Sequence, residues 1–243
     1  MNKQIGIDIS GVTKRFGSII ALDAVSMQFN PGTLYGVIGP AGAGKTTLFR
    51  LMLHLMKQNS GTITYTAGGA PIDFNDARAS IAYMPQSQSL YADLSVDEHL
   101  DFFRRLYGIQ DDEYKKKRTE LLHMARLDKF LNRTAGNLSG GMYKKLGLIC
   151  ALLRSPRVML LDEPTNGVDP ISRREFWDLL HNAQQQGILV IMTTAYMDEA
   201  ERCSSVVLME RGRVLGTGEP RELLRTSRSA NFDEYFLKRG GAK

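Results

Sequence analysis

Gly39-Pro40-Ala41-Gly42-Ala43-Gly44-Lys45-Thr46-Thr47 fits the pattern G-x-x-x-x-G-K-[ST] without a gap. The apolar run Leu34-Tyr35-Gly36-Val37-Ile38 before it reads as a short buried strand, and Leu48-Phe49-Arg50-Leu51-Met52-Leu53 after it reads as a helix. Glycines at that junction let the backbone curl until its N–H groups point inward at phosphate oxygens. The helix offers its positive N-terminal end to the same anion. On this reading residues 39–47 cradle a nucleotide, Lys45 reaches its β- and γ-phosphates, and the Thr46 hydroxyl ligates Mg²⁺.

Such a loop needs an acidic partner that approaches the metal from a neighbouring strand. Asp162 follows the wholly apolar run Val158-Met159-Leu160-Leu161, so it emerges at a strand's C-terminal end, where ligands bind in open α/β sheets. It is assigned to Mg²⁺, directly or through a water. Glu163, next in the chain, is the candidate base that orients and polarises an attacking water. A second anion site is expected at Leu138-Ser139-Gly140-Gly141-Met142, 23 residues before Asp162. There a hydroxyl and free backbone N–H groups open a helix in which Met142, Leu146, Ile149 and Leu153 recur at helical spacing. One nucleotide rarely needs two phosphate sites in one chain, so this one is expected to serve a nucleotide held by another subunit.

Around these motifs, strands alternate with helices, which argues for a mostly parallel sheet. Ile5, Ile7 and Ile9 form one strand, Ile19–Phe29 contains another, and Thr62–Tyr65 and Ile81–Met84 follow. Ile188–Met192 is a further core strand, and Val206–Met209 with Val214–Gly216 closes the sheet as a hairpin. Between about Pro85 and Arg154 helical periodicity takes over. Leu94, Leu100, Phe103, Leu106 and Tyr107 mark one helix, and Leu121, Leu122, Ala125, Leu127 and Phe130 another. The expected architecture is one α/β domain: an α/β core of residues 1–86 and 155–243, an antiparallel β part towards its N-terminal end, and an inserted helical subdomain over 87–154.

The 243 residues are 43% hydrophobic and 23% charged, ordinary for a globular protein with a real core. The net charge of +5 permits contact with nucleic acid or anionic lipid without demanding it; no nucleic-acid partner is expected. Lys115-Lys116-Lys117-Arg118 reads as a solvated helix face. Cys150 and Cys203, the only cysteines, read as small core residues of a reducing compartment. No stretch approaches 18 continuous apolar residues, so any link to a membrane is expected through a partner.

Over nearly its whole length the chain resembles the ATP-binding subunits of ABC transporters. Gly39–Thr47 is similar to their Walker A motif, Leu138–Met142 to their LSGGQ signature, and Val158–Glu163 to Walker B with its catalytic glutamate. Tyr83-Met84-Pro85-Gln86 resembles the Q-loop, which implies that Gln86 touches Mg²⁺ and the attacking water. Asn166-Gly167-Val168-Asp169 resembles the D-loop, and Phe16 stands where the family has an aromatic that stacks on adenine. The resemblance implies ATP and Mg²⁺ as cofactors and a head-to-tail dimer holding two ATP molecules between Walker A and signature faces. It also implies a membrane-spanning permease docked near the Q-loop, and a place at the cytoplasmic face of the cell membrane. Leu90–Leu100 and Asn231–Phe236 look like the exporter branch that includes multidrug and polysaccharide efflux.

Two residues depart from that pattern. Ala195, in Thr193-Thr194-Ala195-Tyr196, occupies the place of a histidine that contacts the γ-phosphate, and Met142 replaces the signature glutamine. An alanine donates no hydrogen bond, and losing one such contact costs on the order of 3 kcal/mol of barrier, or about a hundredfold in rate. Slow hydrolysis by the isolated chain is therefore expected, with a competent site supplied by a second ATPase domain, separate or fused. His181 is expected on a helix surface. Two other readings stand beside the exporter subunit: a soluble ATPase of the family in translation or DNA repair, and a nucleotide-sensing module that switches a partner without turnover.

Overall fold

The computed structural model describes residues 4–87 and 89–240. Two sheets share the molecule. The first is antiparallel, in the order β2-β1-β4-β5, from β1 (Ile5–Phe16), β2 (Ile19–Phe29), β4 (Ser60–Ala67) and β5 (Ala70–Ile72). The second has six strands in the order β10-β9-β3-β8-β7-β6. Its members are β3 (Leu34–Ile38), β6 (Ile81–Met84), β7 (Val158–Asp162), β8 (Leu189–Thr194), β9 (Ser205–Glu210) and β10 (Arg213–Gly218). All pair in parallel except β10, which folds back on β9 as a hairpin.

The three central strands β3, β7 and β8 are buried at every residue, which explains their unbroken apolar runs. Alternation sorts each strand's side chains between two cores. Leu34, Ile38, Met159, Leu161, Val190 and Met192 face one layer; Tyr35, Val37, Val158, Leu160, Leu189 and Ile191 face the other. The second layer joins the antiparallel sheet and α1 (Lys45–Met52). The first joins α3 (Val96–Tyr107), α4 (Asp111–Ala125), α5 (Gly140–Leu152) and α6 (Pro170–Gln185). Truncating one fully buried leucine such as Leu160 would cost about 2–5 kcal/mol, because the sheet has no room to collapse. Short α2 (Phe74–Arg78) and terminal α7 (Pro220–Ser227) and α8 (Phe232–Gly240) complete the chain, with Phe232 and Tyr235 of α8 in the first core.

Helix α3 starts with a reciprocal capping box: the Glu98 N–H donates to Ser95 Oγ at 3.2 Å, and the Ser95 N–H to Glu98 Oε2 at 2.8 Å. Beneath it, buried His99 accepts the Tyr91 N–H at Nε2 (3.1 Å), so its Nδ1–H donates to the Ser95 carbonyl (2.9 Å). Helix α4 ends five residues short of the apolar pattern that was expected to run to Phe130. Arg126 takes a left-handed conformation (φ 56°), and the Arg126 and Leu127 N–H groups close back on the carbonyls of His123 and Leu122. Leu127 is still buried, from beyond the helix, and Phe130 sits in a separate 3₁₀ turn. Leu106, expected on the apolar face of α3, is 63% exposed. The Lys115–Arg118 run is only half solvated: Lys117 binds Glu113 within α4, and Arg118 ties α4 to Asp97 of α3. Cys150 and Cys203 are buried, and burial pushes both thiols far up from their ordinary range. No helix among the described residues is long and apolar enough to cross a membrane.

Candidate functional site

The loop from Gly39 to Thr47 joins β3 to α1 and closes around its own lysine. Gly42 and Gly44 take positive φ (79° and 100°), the backbone that only glycine adopts without strain. Lys45 is almost wholly buried, and its Nζ donates to the carbonyls of Gly39 (2.8 Å) and Pro40 (3.1 Å). The Gly39 N–H donates to the Thr194 carbonyl at the end of β8 (3.2 Å). A side chain at Gly39 would collide with the Met209 carbonyl oxygen, and the Gly212 N–H donates to the Ala43 carbonyl (3.1 Å), so the β9–β10 hairpin forms the loop's floor. Helix α1 has no side-chain cap and no acidic residue in its first turn, which leaves its N-terminal dipole uncompensated from within. Pro40, Ala41 and Gly42 form the exposed lip, with Thr47 half-buried behind Thr46.

Asp162, at the end of β7, has no exposed surface. Its Oδ1 accepts from Thr193 Oγ1 (2.6 Å) and Thr46 Oγ1 (3.2 Å), while its Oδ2 has no partner. A buried carboxylate oxygen without a partner costs free energy unless a cation or proton meets it. The orphan oxygen beside a threonine hydroxyl is a hard-oxygen pair, and these residues fit Mg²⁺ completed by phosphate and water. Glu163 takes a left-handed backbone conformation (φ 46°), strained for a non-glycine residue by about 1 kcal/mol. Its N–H donates to Thr193 Oγ1 (2.9 Å). Its carboxylate is engaged at both oxygens: Lys45 Nζ lies 3.3 Å from Oε1, and Gln86 Nε2 donates to Oε2 (2.8 Å). Thus Lys45, Thr46, Gln86, Asp162 and Glu163 come together from three places in the chain.

The turn at Ser139 lies apart from this cluster. Ser139 caps α5, its Oγ accepting the Met142 N–H (3.3 Å), and Ser139 and Gly140 are exposed. Gly141 is buried where a side chain would overlap Ser172 on α6. Among the described residues no hydrogen bond joins residues 139–141 to 39–47. Phe16, at the end of β1, is 48% exposed rather than in a core, with Lys14 Nζ 5.1 Å from its ring centre. Ala195 is exposed just beyond β8. Its neighbour Tyr196 reaches Asn166 Oδ1 through its hydroxyl (3.3 Å), with the Arg173 guanidinium 4.5 Å from the ring centre. His181 lies on α6 against Trp177, its Nε2 3.2 Å from the Arg202 carbonyl. Met142 is half-buried against the helical core.

Two residues of the cluster carry no motif signal. Thr193 binds both Asp162 and the Glu163 backbone, and Lys144 of α5 donates to the Gln86 carbonyl (3.3 Å). Only the parallel pairing of β7 with β8, which sets Asp162 opposite Thr193, brings the first into place.

A family model described as "ABC transporter" matches residues 22–166. The chain is 42% identical over 229 residues to the probable multidrug ABC transporter ATP-binding protein YbhF of Escherichia coli, covering 93% of this chain and 39% of that protein. It is 34% identical over 231 residues to the Nod factor export ATP-binding protein I of Burkholderia thailandensis, covering 95% and 76%. The chain thus spans about two fifths of the first relative and three quarters of the second. A solved ATP binding subunit of an ABC transporter superposes with a TM-score of 0.82 at 28% identity, covering 96% of this chain and 98% of that one.

Proposed function

This chain belongs to the ABC transporter family, and on that premise we propose that it is the ATP-binding and hydrolysing unit that drives a membrane exporter. The observation that carries the reading is the meeting of Lys45, Thr46, Asp162 and Glu163 around an orphan carboxylate oxygen. The backbone N–H groups of residues 39–47 and the Lys45 ammonium bind the β- and γ-phosphates. Thr46, Asp162 and Gln86 would hold Mg²⁺, which would supply positive charge to offset that developing on the phosphates. Glu163 accepts the proton of the attacking water once Lys45 and Gln86 turn to the nucleotide. Phe16 stacks on the adenine. Ser139, Gly140 and Gly141 face the phosphates of a nucleotide held by a second ATP-binding domain, in a head-to-tail pair that works on a membrane-spanning permease. This places the chain at the cytoplasmic face of the membrane. The names of its relatives, multidrug and Nod factor export, favour outward transport.

Ala195 carries no donor, so one contact to the terminal phosphate is missing. Mg-ATP hydrolysis by the wild type, Glu163→Gln and Ala195→His tests the reading. We expect a slow wild-type rate, none in Glu163→Gln, and a rise of up to about a hundredfold in Ala195→His. Hydrolysis that survives Glu163→Gln unchanged would remove Glu163 as base. Nucleotide binding without turnover in all three forms would favour a nucleotide-sensing module instead.

A further inference from the structure

Lys144 lies on the first turns of α5, the helix capped by Ser139. Its neighbour Lys145 is paired with Glu175 at 2.6 Å, and Lys45 with Glu163. Lys144, by contrast, has no carboxylate within ion-pair distance among the described residues, and its Nζ donates to the Gln86 backbone carbonyl. It is half-buried, close enough to Asp162 and Glu163 that both favour its charge, yet desolvation outweighs them and holds its ammonium below the ordinary lysine range. The hydrogen bond to the Gln86 carbonyl offsets part of the cost of keeping that cation partly dry and holds the two groups together.

What it fixes is the segment that carries Gln86. The Gln86 side chain in turn donates to Glu163 Oε2, so an unbroken polar path runs from α5 through residue 86 to the candidate base. The same face of α5 touches that segment again one turn on. Gly147, three residues after Lys144, lacks a side chain where the Met84 methyl closes in; a Cβ there would lie 3.5 Å from it. A helix moves as a rigid rod over this distance, about 7 Å from Ser139 to Lys144. Displacement of its capped end therefore reaches residues 84–86 at two points.

We propose that Lys144 is a positioning residue that pins the backbone at Gln86 to α5, and so couples the Ser139–Gly141 turn to the Glu163 carboxylate of the same chain. The inference rests on the reading of Gln86 and Glu163 given above, and two independent measurements separate its failure from the failure of that reading.

The first is 15N relaxation of the nucleotide-free protein as wild type, Lys144→Met and Lys144→Arg. The order parameter of the Ser87 amide, in the peptide unit whose carbonyl Lys144 holds, should fall below about 0.6 in Lys144→Met and stay near wild type in Lys144→Arg, which still donates to the carbonyl. An unchanged order parameter in Lys144→Met overturns the pin, whatever the protein hydrolyses. The second is a kinetic cycle with Gln86→Ala, which keeps the residue 86 carbonyl but cuts the link to Glu163. Lys144→Met alone should lower kcat about tenfold while KM for Mg-ATP stays within about twofold. In the Gln86→Ala background it should add no further loss. Losses that multiply would mean that Lys144 acts on the nucleotide by another route, and would overturn the coupling. If no form turns over ATP, the hydrolytic reading fails while the relaxation result still decides the pin.

Discussion

The loop at Gly39–Thr47 and the turn at Ser139–Gly141 both open a helix with free N–H groups, yet one is closed on itself and the other is open. In the first, a nearly buried lysine is satisfied by two carbonyls and a carboxylate, and the hairpin floor holds the backbone from below. In the second, a serine caps its own helix, and the serine and the following glycine face outward. The contrast teaches that the first half of the site is completed within the chain. The second has its anchoring behind it, at Gly141 against Ser172, and its binding groups in front. On the proposed reading, that bare side is the one offered to the nucleotide of a second ATP-binding domain.

The comparison breaks most simply at Lys45. Lys45→Ala should weaken binding of a fluorescent ATP analogue about a hundredfold, the worth of a buried charge-assisted contact. Ser139→Ala should leave that affinity within about twofold, since on the proposed reading Ser139 faces a nucleotide held by a second domain. Equal losses in the two variants would erase the distinction between the halves. A smaller effect is expected where the open turn is anchored. Gly141→Ala places a methyl inside the Ser172 side chain and should lower stability to urea by about 1–3 kcal/mol, with Ser172→Gly restoring part of it. Full stability in Gly141→Ala would show that α5 and α6 slide freely at that contact.

The smallest effect separates the two regions by acid. Burial holds His99 below the ordinary histidine range, so the unfolded chain takes up the proton first. Stability from neutral His99 is present above the unfolded pKa of about 6.5 and is lost as pH falls through that value towards the folded one. Protonating Nε2 removes the Tyr91 contact, at about 1 kcal/mol. Amide exchange in α3 should therefore quicken between pH 7.5 and about 5.5, beyond the intrinsic pH dependence, while residues 39–47 hold their protection. His99→Gln should abolish the difference.

The parts legible in the sequence are those whose signal is contiguous. Strands β3, β7 and β8 could be read because a parallel strand covered on both faces must be apolar throughout. The loop and Asp162-Glu163 could be read because their chemistry sits in consecutive residues. The end of α4 could not: the apolar spacing runs on through Leu127 and Phe130, and the break is made by Arg126 in a conformation that glycine usually signals. Leu106 fits the helical period yet faces solvent, because α3 is covered over a narrower stripe than its pattern offers. Thr193 and Lys144 were illegible for a different reason. A threonine at a strand end and one lysine of a pair are ordinary until strand order and helix packing set them beside Asp162 and Gln86.

The hairpin beneath the phosphate loop gives that geometry a practical edge. The stretch that matches the family model ends at residue 166, whereas Gly39 and Ala43 rest on Met209 and Gly212. A fragment cut at the limits of that match would contain residues 39–47, 138–142 and 158–163 and still lack the bed on which the phosphate loop is shaped. For library design, domain transplantation or truncation, the unit that must be kept together is therefore longer than the stretch the family model matches, and its distal boundary lies beyond β10.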